Sequence, residues 1–492
     1  MPSDHFPAPN GMLPYWRTEP HRLDNYRSTE ALPKESDIII VGAGYAGSSV
    51  AYHILDQIKP GSKPPSITIL EARQACSGAT ARNGGHMKPD IYNFVATLEA
   101  EYGVEAAAEV AVFEARHVHA VKDFVDKERI DCDYTVTKAI DVQLCSGHFQ
   151  KLKSGYERLV SNGFEPTKPA RFVNAEDAES FSGVKGAVGC VTYDASSIWA
   201  YKFVLHLLEK VVSQGVNLQT HTPVSKITKS TNESASSSHW QVETPRGTIT
   251  AQKVILATNA YTSALAPQYQ NKIIPVRGTC CRIAVPPAST VPRLTCTYTL
   301  RWNGWDYDYL IPRADRSIVV GGARTAFIHD LNNWYNVSDD SRVLEGAVRY
   351  FDGYMQRTFV GWEDSNAYTD RVWTGSKCMM ITPCICEHTF VFNRTGMVRL
   401  TWAVMGYSSD GLPHIGAVPG QQDEYILAGF TGHGMPQIFL AAEGIAKMVV
   451  GDVAFEETGL PRLFKTSQSR LDKQENKILS SAPEGGSSLA KL

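Results

Sequence analysis

The chain contains a pattern of apolar and polar positions that is typical of a strand–helix–strand unit near its start. The β-favouring residues Ile38 to Val41 predict a buried strand, and residues 48–58 carry the apolar spacing of a helix. A second apolar run, residues 67–70, follows and ends at Glu71. This order predicts two neighbouring parallel strands joined by a helix.

The turn between the first strand and its helix contains Gly42, Gly44 and Gly47. Glycine lets the backbone approach a pyrophosphate closely, and the helix N-terminus attracts that anion. Glu71 lies 24 residues after Gly47, where a carboxylate can accept hydrogen bonds from both ribose hydroxyls of an adenosine. The pattern therefore predicts a dinucleotide site, because a glycine-rich turn without a ligand would not account for Glu71.

A second glycine-rich junction lies near the other end of the chain. Residues 424–430 predict a strand, residues 431–435 read Thr-Gly-His-Gly-Met, and residues 436–450 predict a helix. If both junctions belong to one site, the nucleotide-binding domain is discontinuous and a second domain is inserted into it.

The region between the junctions predicts helices over residues 102–126 and 200–214 and strands over 216–224 and 254–260. From residue 273 to 322 the pattern turns to strands rich in aromatic residues, which either cover a ligand or form an aromatic core. His117 and His119 are two positions apart and therefore lie on different helix faces, so we interpret them as surface or core residues and predict no metal site.

Composition and charge exclude several classes of protein. The 492 residues suffice for two or three domains, and a net charge of −3 does not favour nucleic-acid binding. No run of eighteen apolar residues predicts a membrane span. Ten cysteines without a CxxC pair are typical of a reducing compartment.

The two termini carry signals of cellular location. The first 36 residues, interpreted as an extended arm anchored by Tyr15 and Trp16, lack the apolar core of a secretory signal. The chain closes with Ala490-Lys491-Leu492, a conservative variant of the Ser-Lys-Leu signal that a peroxisomal import receptor recognises. We therefore expect a peroxisomal or a cytoplasmic location.

Four stretches carry a resemblance to a known family. They are the 42–47 turn with Glu71-Ala72-Arg73; residues 76–86, reading Cys-Ser-Gly-Ala-Thr-Ala-Arg-Asn-Gly-Gly-His; residues 256–261; and residues 406–416 leading to 429–435. In this order they resemble the flavoenzyme family of D-amino-acid oxidase, glycine oxidase and sarcosine oxidase. The branch that the chain resembles most closely is that of the γ-glutamylputrescine-oxidoreductase-like amine oxidases. The cofactor that this resemblance implies is FAD.

The resemblance implies an α/β (α+β) fold with a discontinuous Rossmann-type FAD-binding domain and an inserted, mainly antiparallel β-sheet substrate domain. We expect an N-terminal arm over residues 1–36 and the FAD-binding domain over 37–90, 185–265 and 404–452. The substrate domain is expected over 91–184 and 266–375, an anomalous insert over 376–403 and a C-terminal tail over 453–492.

The resemblance also assigns the cofactor-binding residues. It implies Gly42, Gly44, Tyr45, Ala46, Gly47, Glu71, Ala72, Arg73, Ser77, Thr80, Arg82, Asn83, Gly84, Gly85, Val224, Ala257, Thr258, Asp410, Gly411, Gly432, His433, Gly434 and Met435. Ala81 stands where the family usually has glycine. His86 would lie beside the flavin ring, in covalent or noncovalent contact.

The implied reaction is oxidation of the C–N bond of an amine or amino acid by hydride transfer to flavin, with O2 as acceptor and hydrogen peroxide and an imine as products. Backbone amides of residues 432–435 would stabilise the charge that develops on the flavin. His86, Arg277 and His433 are the candidate catalytic residues, and Arg277 would hold either a substrate carboxylate or a structural carbonyl. Weaker pocket candidates are Tyr261, Trp302, Tyr309 and Arg313. The alternatives are a flavin dehydrogenase that uses another acceptor and a catalytically impaired flavin-fold protein.

The impaired alternative arises from residues 376–403, which separate two segments, Trp373-Thr374-Gly375 and Val404-Met405-Gly406, that are contiguous in this branch. This insert carries three of the ten cysteines and no clear amphipathic period. Two hypotheses remain open, a retained intron in the gene and a genuine surface loop.

Overall fold

A computed structural model describes residues 6–9, 13–230, 239–341, 344–373 and 403–480. The strands in these ranges are β1 (Glu35–Val41), β2 (Ile67–Leu70), β3 (His86–Met87), β4 (Thr135–Gln143), β5 (Arg171–Val173), β6 (Gly189–Ser197), β7 (Asn217–Gln219), β8 (Lys226–Lys229), β9 (Trp240–Thr244), β10 (Gly247–Leu256), β11 (Ile273–Ala284), β12 (Thr297–Arg301), β13 (Tyr307–Pro312), β14 (Ile318–Gly322), β15 (Tyr368–Trp373), β16 (Ala403–Ser408), β17 (His414–Ala417) and β18 (Glu424–Ala428). The α-helices are α1 (Tyr45–Asp56), α2 (Phe94–Tyr102), α3 (Val104–Glu128), α4 (Ser146–Ser161), α5 (Ala175–Ser182), α6 (Ala200–Ser213), α7 (Thr262–Leu265), α8 (Leu331–Trp334), α9 (Glu345–Val348), α10 (Tyr354–Thr358), α11 (Ile438–Gly451), α12 (Gln468–Asp472) and α13 (Lys477–Ser480).

The first sheet has the strand order β17-β18-β10-β1-β2-β7, and β8 and β9 form a hairpin that pairs with β10. Its five strands from β18 to β7 are parallel. Four residues of β1, Ile38 to Val41, pair with Ile67–Leu70 of β2 and are almost fully buried. Strands at the centre of a parallel sheet are covered on both faces, which explains their continuous apolar runs.

The second sheet has the order β15-β11-β14-β13-β12-β4-β6-β3, with β16 on β11 and β5 on β6. All of its pairs are antiparallel except β4 with β12. Its strands come from residues 86–197 and 273–408, between segments of the first sheet. The predicted fold, a parallel nucleotide-type sheet interrupted by a mainly antiparallel one, is therefore confirmed.

Helices cover the first sheet and meet in an aromatic cluster. Phe124 of α3 lies 4.9 Å from Tyr52 of α1, 5.9 Å from Phe203 of α6 and 5.3 Å from Phe439 of α11, measured between ring centroids. Such aromatic contacts add to the stabilisation from burial. The cluster therefore fixes α11, the last long helix, against the first.

Several elements differ in extent from the sequence prediction. The helix predicted over residues 102–126 is observed as α3 from Val104 to Glu128, preceded by the separate helix α2. The strand predicted over 216–224 is limited to β7, because the chain then turns at His221, which has a positive φ of 50°. The second sheet also includes β3, β6 and β16. The domain bounds predicted from the sequence had placed these segments in the FAD-binding domain.

The N-terminal arm is anchored as its two aromatic residues predict. Trp16 is completely buried, its ring lies 5.6 Å from that of Trp199, and Tyr15 stacks on the same ring. The indole of Trp16 donates a hydrogen bond to the carbonyl of Asn83. The arm thus supports the loop that carries several of the predicted cofactor residues.

Candidate active site

One cavity of 670 Å³ runs along the carboxyl ends of the parallel strands of the first sheet. The turns that follow β1, β2, β10 and β18 line it, and the wall of the second sheet closes it. Ligands of open α/β sheets bind at this edge. The two glycine-rich junctions, far apart in sequence, therefore meet at a single cavity.

Most predicted site residues line this cavity, and four do not. Lining residues are Gly42, Gly44, Tyr45, Ala46, Glu71, Ala72, Arg73, Thr80, Arg82, Asn83, Gly84, His86, Val224, Ala257, Thr258, Arg277, Gly411, Gly432, His433, Gly434 and Met435. The residues off the cavity surface are Gly47, Ser77, Gly85 and Asp410. Of the weaker candidates, Tyr261 and Tyr309 line the cavity, whereas Trp302 and Arg313 do not.

The first glycine-rich turn has the geometry that close packing demands. Gly42 has a φ of +111°, and a Cβ there would meet the carbonyl oxygen of Ala257 at 2.7 Å. A Cβ on Gly47 would meet the carbonyl oxygen of Gly42 at 2.0 Å, so this position can only be glycine. Gly47 therefore acts through packing of α1 on β1, while Gly44 borders the cavity.

Glu71 and Thr80 brace the same turn from neighbouring segments. The carboxylate of Glu71 accepts hydrogen bonds from the backbone N–H groups of Ala43 and Arg73, both at 2.9 Å. The hydroxyl of Thr80 accepts one from the N–H of Tyr45 at 3.0 Å. The carboxylate thus stands at the end of β2 beside the turn, as its spacing predicts.

The loop that follows is held by an ion cluster that the sequence did not reveal. Asp340, from the chain segment after α8, accepts hydrogen bonds from Arg73 at 2.6 and 2.7 Å and lies 3.3 Å from Arg82. All three side chains are buried. Because Asp340 is some 260 residues away in the chain, no local pattern could have connected it to this loop.

His86 ends the loop as a neutral imidazole. Burial, with a smaller contribution from the charge of Lys88, lowers the pKa of His86 to about 3. Its Nε2 atom is buried and has no hydrogen-bond partner among the described residues. A buried, unpartnered polar atom on a cavity wall indicates that a ligand completes its contacts.

Asp410, predicted as a cofactor-binding residue, lies off the cavity surface and forms an ion pair. Its carboxylate accepts hydrogen bonds from Arg470 at 2.8 and 2.9 Å and from Ser408 at 2.5 Å. The guanidinium of Arg470 holds the pKa of Asp410 well below its usual range despite burial. This ion pair ties residues 453–480, predicted as part of a tail, to the loop beside Gly411.

The opposite wall of the cavity comes from the second sheet and is cationic as well as aromatic. Tyr307 lies between two guanidinium groups, 4.7 Å from that of Arg301 and 5.2 Å from that of Arg324. Arg324 donates hydrogen bonds to the carbonyl of Trp305 at 2.8 Å and to the hydroxyl of Tyr407 at 3.1 Å. Within the described residues Arg324 has no carboxylate within ion-pairing distance, whereas Arg301 lies 3.9 Å from Asp141.

Sequence reasoning missed these arginines and also Lys88 and Glu114, which line the cavity. Lys88 pairs with the buried Asp141. The signal available for Lys88 was its place two residues after His86, but neither arginine lies in a distinctive motif.

In the ranges described, none of the helices has the length and apolar character to cross a membrane, and no cluster of three or more potential metal ligands occurs.

Comparison with known proteins places these observations in a family. The sequence profile of the family described as FAD dependent oxidoreductase (DAO) matches residues 37–448. Gamma-glutamylputrescine oxidoreductase of Escherichia coli is 21% identical over 425 residues, which cover 85% of this chain and 84% of that protein. The probable oxidoreductase OrdL of Haemophilus influenzae is 20% identical over 465 residues, covering 91% and 92%.

Solved structures share the fold at low sequence identity. Glycine oxidase of Geobacillus kaustophilus superposes with a TM-score of 0.61 at 17% identity, covering 86% of this chain and 96% of that one. An L-amino acid deaminase of Proteus vulgaris gives a TM-score of 0.60 at 15% identity, covering 92% and 99%. The resemblance therefore extends through both sheets.

Proposed function

The chain belongs to the family of FAD-dependent oxidoreductases, and from that premise we propose that it oxidises the C–N bond of an amino acid or another amine. The observation that carries this proposal is the single cavity lined both by the two glycine-rich junctions and by the cationic, aromatic wall of the second sheet. The relatives support the class of substrate, since their names refer to glycine, amino acids and an amine.

The residues present fit FAD. The backbone at Gly42 and Gly44 would hold the pyrophosphate, Glu71 the ribose of the adenosine, and the loop from Asn83 to His86 the flavin ring. The free Nε2 atom of His86 is consistent with a ligand on this wall. When bound, FAD supplies the acceptor for the hydride that leaves the substrate carbon.

The protein's own contribution is orientation and exclusion of water. Tyr307, Tyr309 and Trp305 line the cavity, and Tyr309 is fixed by a 3.1 Å contact between its hydroxyl and the sulfur of Cys280. An aromatic wall limits the substrate to few orientations and displaces water around the reacting carbon. The neutral state of His86 would avoid placing a cation beside the electron-deficient carbon.

Arg324 favours an amino acid over a purely cationic amine. Its guanidinium lines the cavity, is oriented by Tyr407 and Trp305, and has no acidic partner in the described part of the chain. An arginine in this state is suited to bind a carboxylate through paired hydrogen bonds. Arg277, on β11 in the same cavity, is a second candidate for this contact.

The acceptor of the electrons is proposed to be O2, which would yield hydrogen peroxide and an imine. A dehydrogenase that uses another acceptor is the second candidate, because a solved neighbour with a TM-score of 0.61 is an L-proline dehydrogenase. Import into peroxisomes through Ala490-Lys491-Leu492 would suit a peroxide producer. That tripeptide lies outside the described residues and stays a prediction, testable by the location of a fluorescent protein that carries it.

The proposal is tested with purified protein and a panel of amines and amino acids under two readouts, peroxide and reduction of an artificial dye. We expect a yellow protein that oxidises amino acids. In Arg324→Met the KM for amino acids should rise about tenfold or more, the scale of a lost charge-assisted pair, while simple amines change little. Arg316→Met, at an exposed arginine in the turn between β13 and β14, is the matched control.

Three results would decide against parts of this proposal. A colourless protein that takes up no added FAD overturns the enzyme assignment. Dye reduction without peroxide selects the dehydrogenase. Oxidation of cationic amines only, unaffected by Arg324→Met, rejects the carboxylate contact.

A further inference from the structure

Glu114, in the middle of helix α3, joins three segments of the cavity wall. Its carboxylate accepts hydrogen bonds from Nε2 of His433 at 2.9 Å, from the side-chain amide of Gln437 at 2.7 Å and from the backbone N–H of Asp90 at 2.8 Å. Only 2% of Glu114 is exposed. A buried carboxylate that accepts three hydrogen bonds is held in one position, so neither it nor its donors need to move when charge develops nearby.

The three donors belong to parts of the chain that meet at the cavity. His433 lies in the turn between β18 and α11, Gln437 immediately precedes α11, and Asp90 follows β3. One turn further along α3, His117 accepts a hydrogen bond from the backbone N–H of Leu440 at 3.0 Å. Helix α3 therefore holds both the turn of residues 431–437 and the first turn of α11.

The surroundings of His433 favour its protonated form. Burial alone would lower the pKa of His433, but the charge and hydrogen bond of Glu114, followed by the charge of Asp90, raise it. Lys88 opposes them, and the cavity lining also carries His86, Tyr193 and Arg301 as titratable groups. The imidazole is 39% exposed, and it lines the cavity.

We propose that Glu114 is a positioning residue. It holds the side chain of His433, as a cation, on the wall of the cofactor cavity, next to the backbone amides of the same turn. This inference rests on the proposed function, since the charge matters only if the cavity holds FAD. An imidazolium at a fixed place stabilises negative charge that develops nearby without reorganising during the reaction. Glu114 would thus act on the reaction through His433.

Three variants separate this role from general support of the fold. Glu114→Gln removes the charge at nearly constant size, and Gln437→Leu removes one tether but leaves the charge pair. Glu109→Gln is the matched control, because Glu109 lies on the same helix and pairs instead with Arg462. Each variant is compared with the wild type in thermal unfolding to confirm that it folds.

The first readout needs no cofactor. In apoprotein labelled at histidine carbons, the His433 resonance is identified by its loss in His433→Asn and is followed through a pH titration. We expect its pKa to fall in Glu114→Gln and to stay at the wild-type value in Glu109→Gln and Gln437→Leu. An unchanged titration in Glu114→Gln overturns the proposal.

The second readout uses the FAD-loaded protein. In Glu114→Gln, His433 loses the carboxylate that keeps it protonated and with it the positive charge that favours the reduced flavin. The midpoint potential of the flavin should therefore become more negative and kcat should fall about tenfold, with KM less affected. Loss of stability with an unchanged potential and pH profile would show a structural role only and also overturn the proposal. If even the wild type binds no FAD, the proposed function fails, whereas the apoprotein titration still reports on the His433–Glu114 pair.

Discussion

The register of β15 and β16 on β11 leads to a sharp prediction about residues 376–403. Trp373 of β15 lies opposite Cys280, and Val404 of β16 lies opposite Arg277. Trp373 and Val404 are 31 positions apart in the chain, whereas their partners on β11 are only 3 positions apart. The chain between β15 and β16 is therefore 28 residues longer than a continuous strand along β11 would need. The insert singled out from the sequence, residues 376–403, has this length.

Removal of residues 376–403 should therefore join β15 and β16 into one strand that pairs with β11 without a shift. Gly375 would then stand opposite Gly278, the place that Ala403 takes. Closing a loop of 28 residues costs about 3 kcal/mol by the logarithmic dependence on length, so the deletion should stabilise the protein by up to that amount. Residues 376–402 of the insert lie outside the described part of the chain.

The assay compares the full chain, the deletion of 376–403 and a control deletion of 376–402 in thermal unfolding and FAD uptake. The control leaves one extra residue, so β16 must slip by one position or form a bulge. A slip would turn Tyr407 away from Arg324, with which it shares a hydrogen bond of 3.1 Å. We expect the 28-residue deletion to unfold at the highest temperature and to retain FAD.

The reasoning is refuted if the 28-residue deletion is less stable than the full chain, or if both deletions behave alike. Sequencing of the transcript across codons 370–410 tests the retained-intron hypothesis separately. A spliced message without codons 376–403 supports it, and an uninterrupted message as the sole product rejects it in favour of a genuine loop.

Three further predictions concern single residues. Gly47→Ala should abolish FAD binding and destabilise the protein by about 1–3 kcal/mol or more, since its Cβ would meet the Gly42 carbonyl at 2.0 Å; flavin absorbance and denaturant unfolding check this. Arg470→Met should cost about 3–5 kcal/mol in unfolding experiments, because it leaves the buried carboxylate of Asp410 without its partner. Burial raises the pKa of Asp308, on β13, to about 6. The contribution of its protonated carboxyl to the free energy of unfolding is therefore complete below the pKa of the unfolded chain, about 4, and is lost as the pH rises through 6. In Asp308→Asn, the free energy of unfolding relative to wild type should therefore increase by up to about 3 kcal/mol from pH 4 to pH 7.

Each of these has a control and a contrary outcome. Gly147→Ala, at a glycine of helix α4 with open space around it, is the matched control, and normal flavin absorbance in Gly47→Ala would contradict the packing argument. Arg462→Met removes an exposed ion pair and should change stability by less than about 1 kcal/mol. A pH-independent difference between wild type and Asp308→Asn would show that this carboxyl does not titrate in the folded protein.

The local parts of this protein were accessible from its sequence. The turn from Gly42 to Gly47 and the carboxylate of Glu71 follow from short-range rules, because a tight turn between a strand and a helix leaves few choices of residue. The order of the motifs, and the resemblance that they carry, predicted the interrupted parallel sheet. Asp410 lay within such a motif, and the motif alone could not reveal that Arg470 binds its side chain.

Only the tertiary structure brought together the contacts between remote segments. Asp340 reaches Arg73 and Arg82 across about 260 residues, and Glu114 reaches His433 across 319. Arg324, in the short 3-10 helix after β14, acquires its place on the cavity wall from Tyr407 of β16. Side chains of this kind carry no periodic or spacing signal, because their role arises from burial and charge that exist only once the two sheets have packed together.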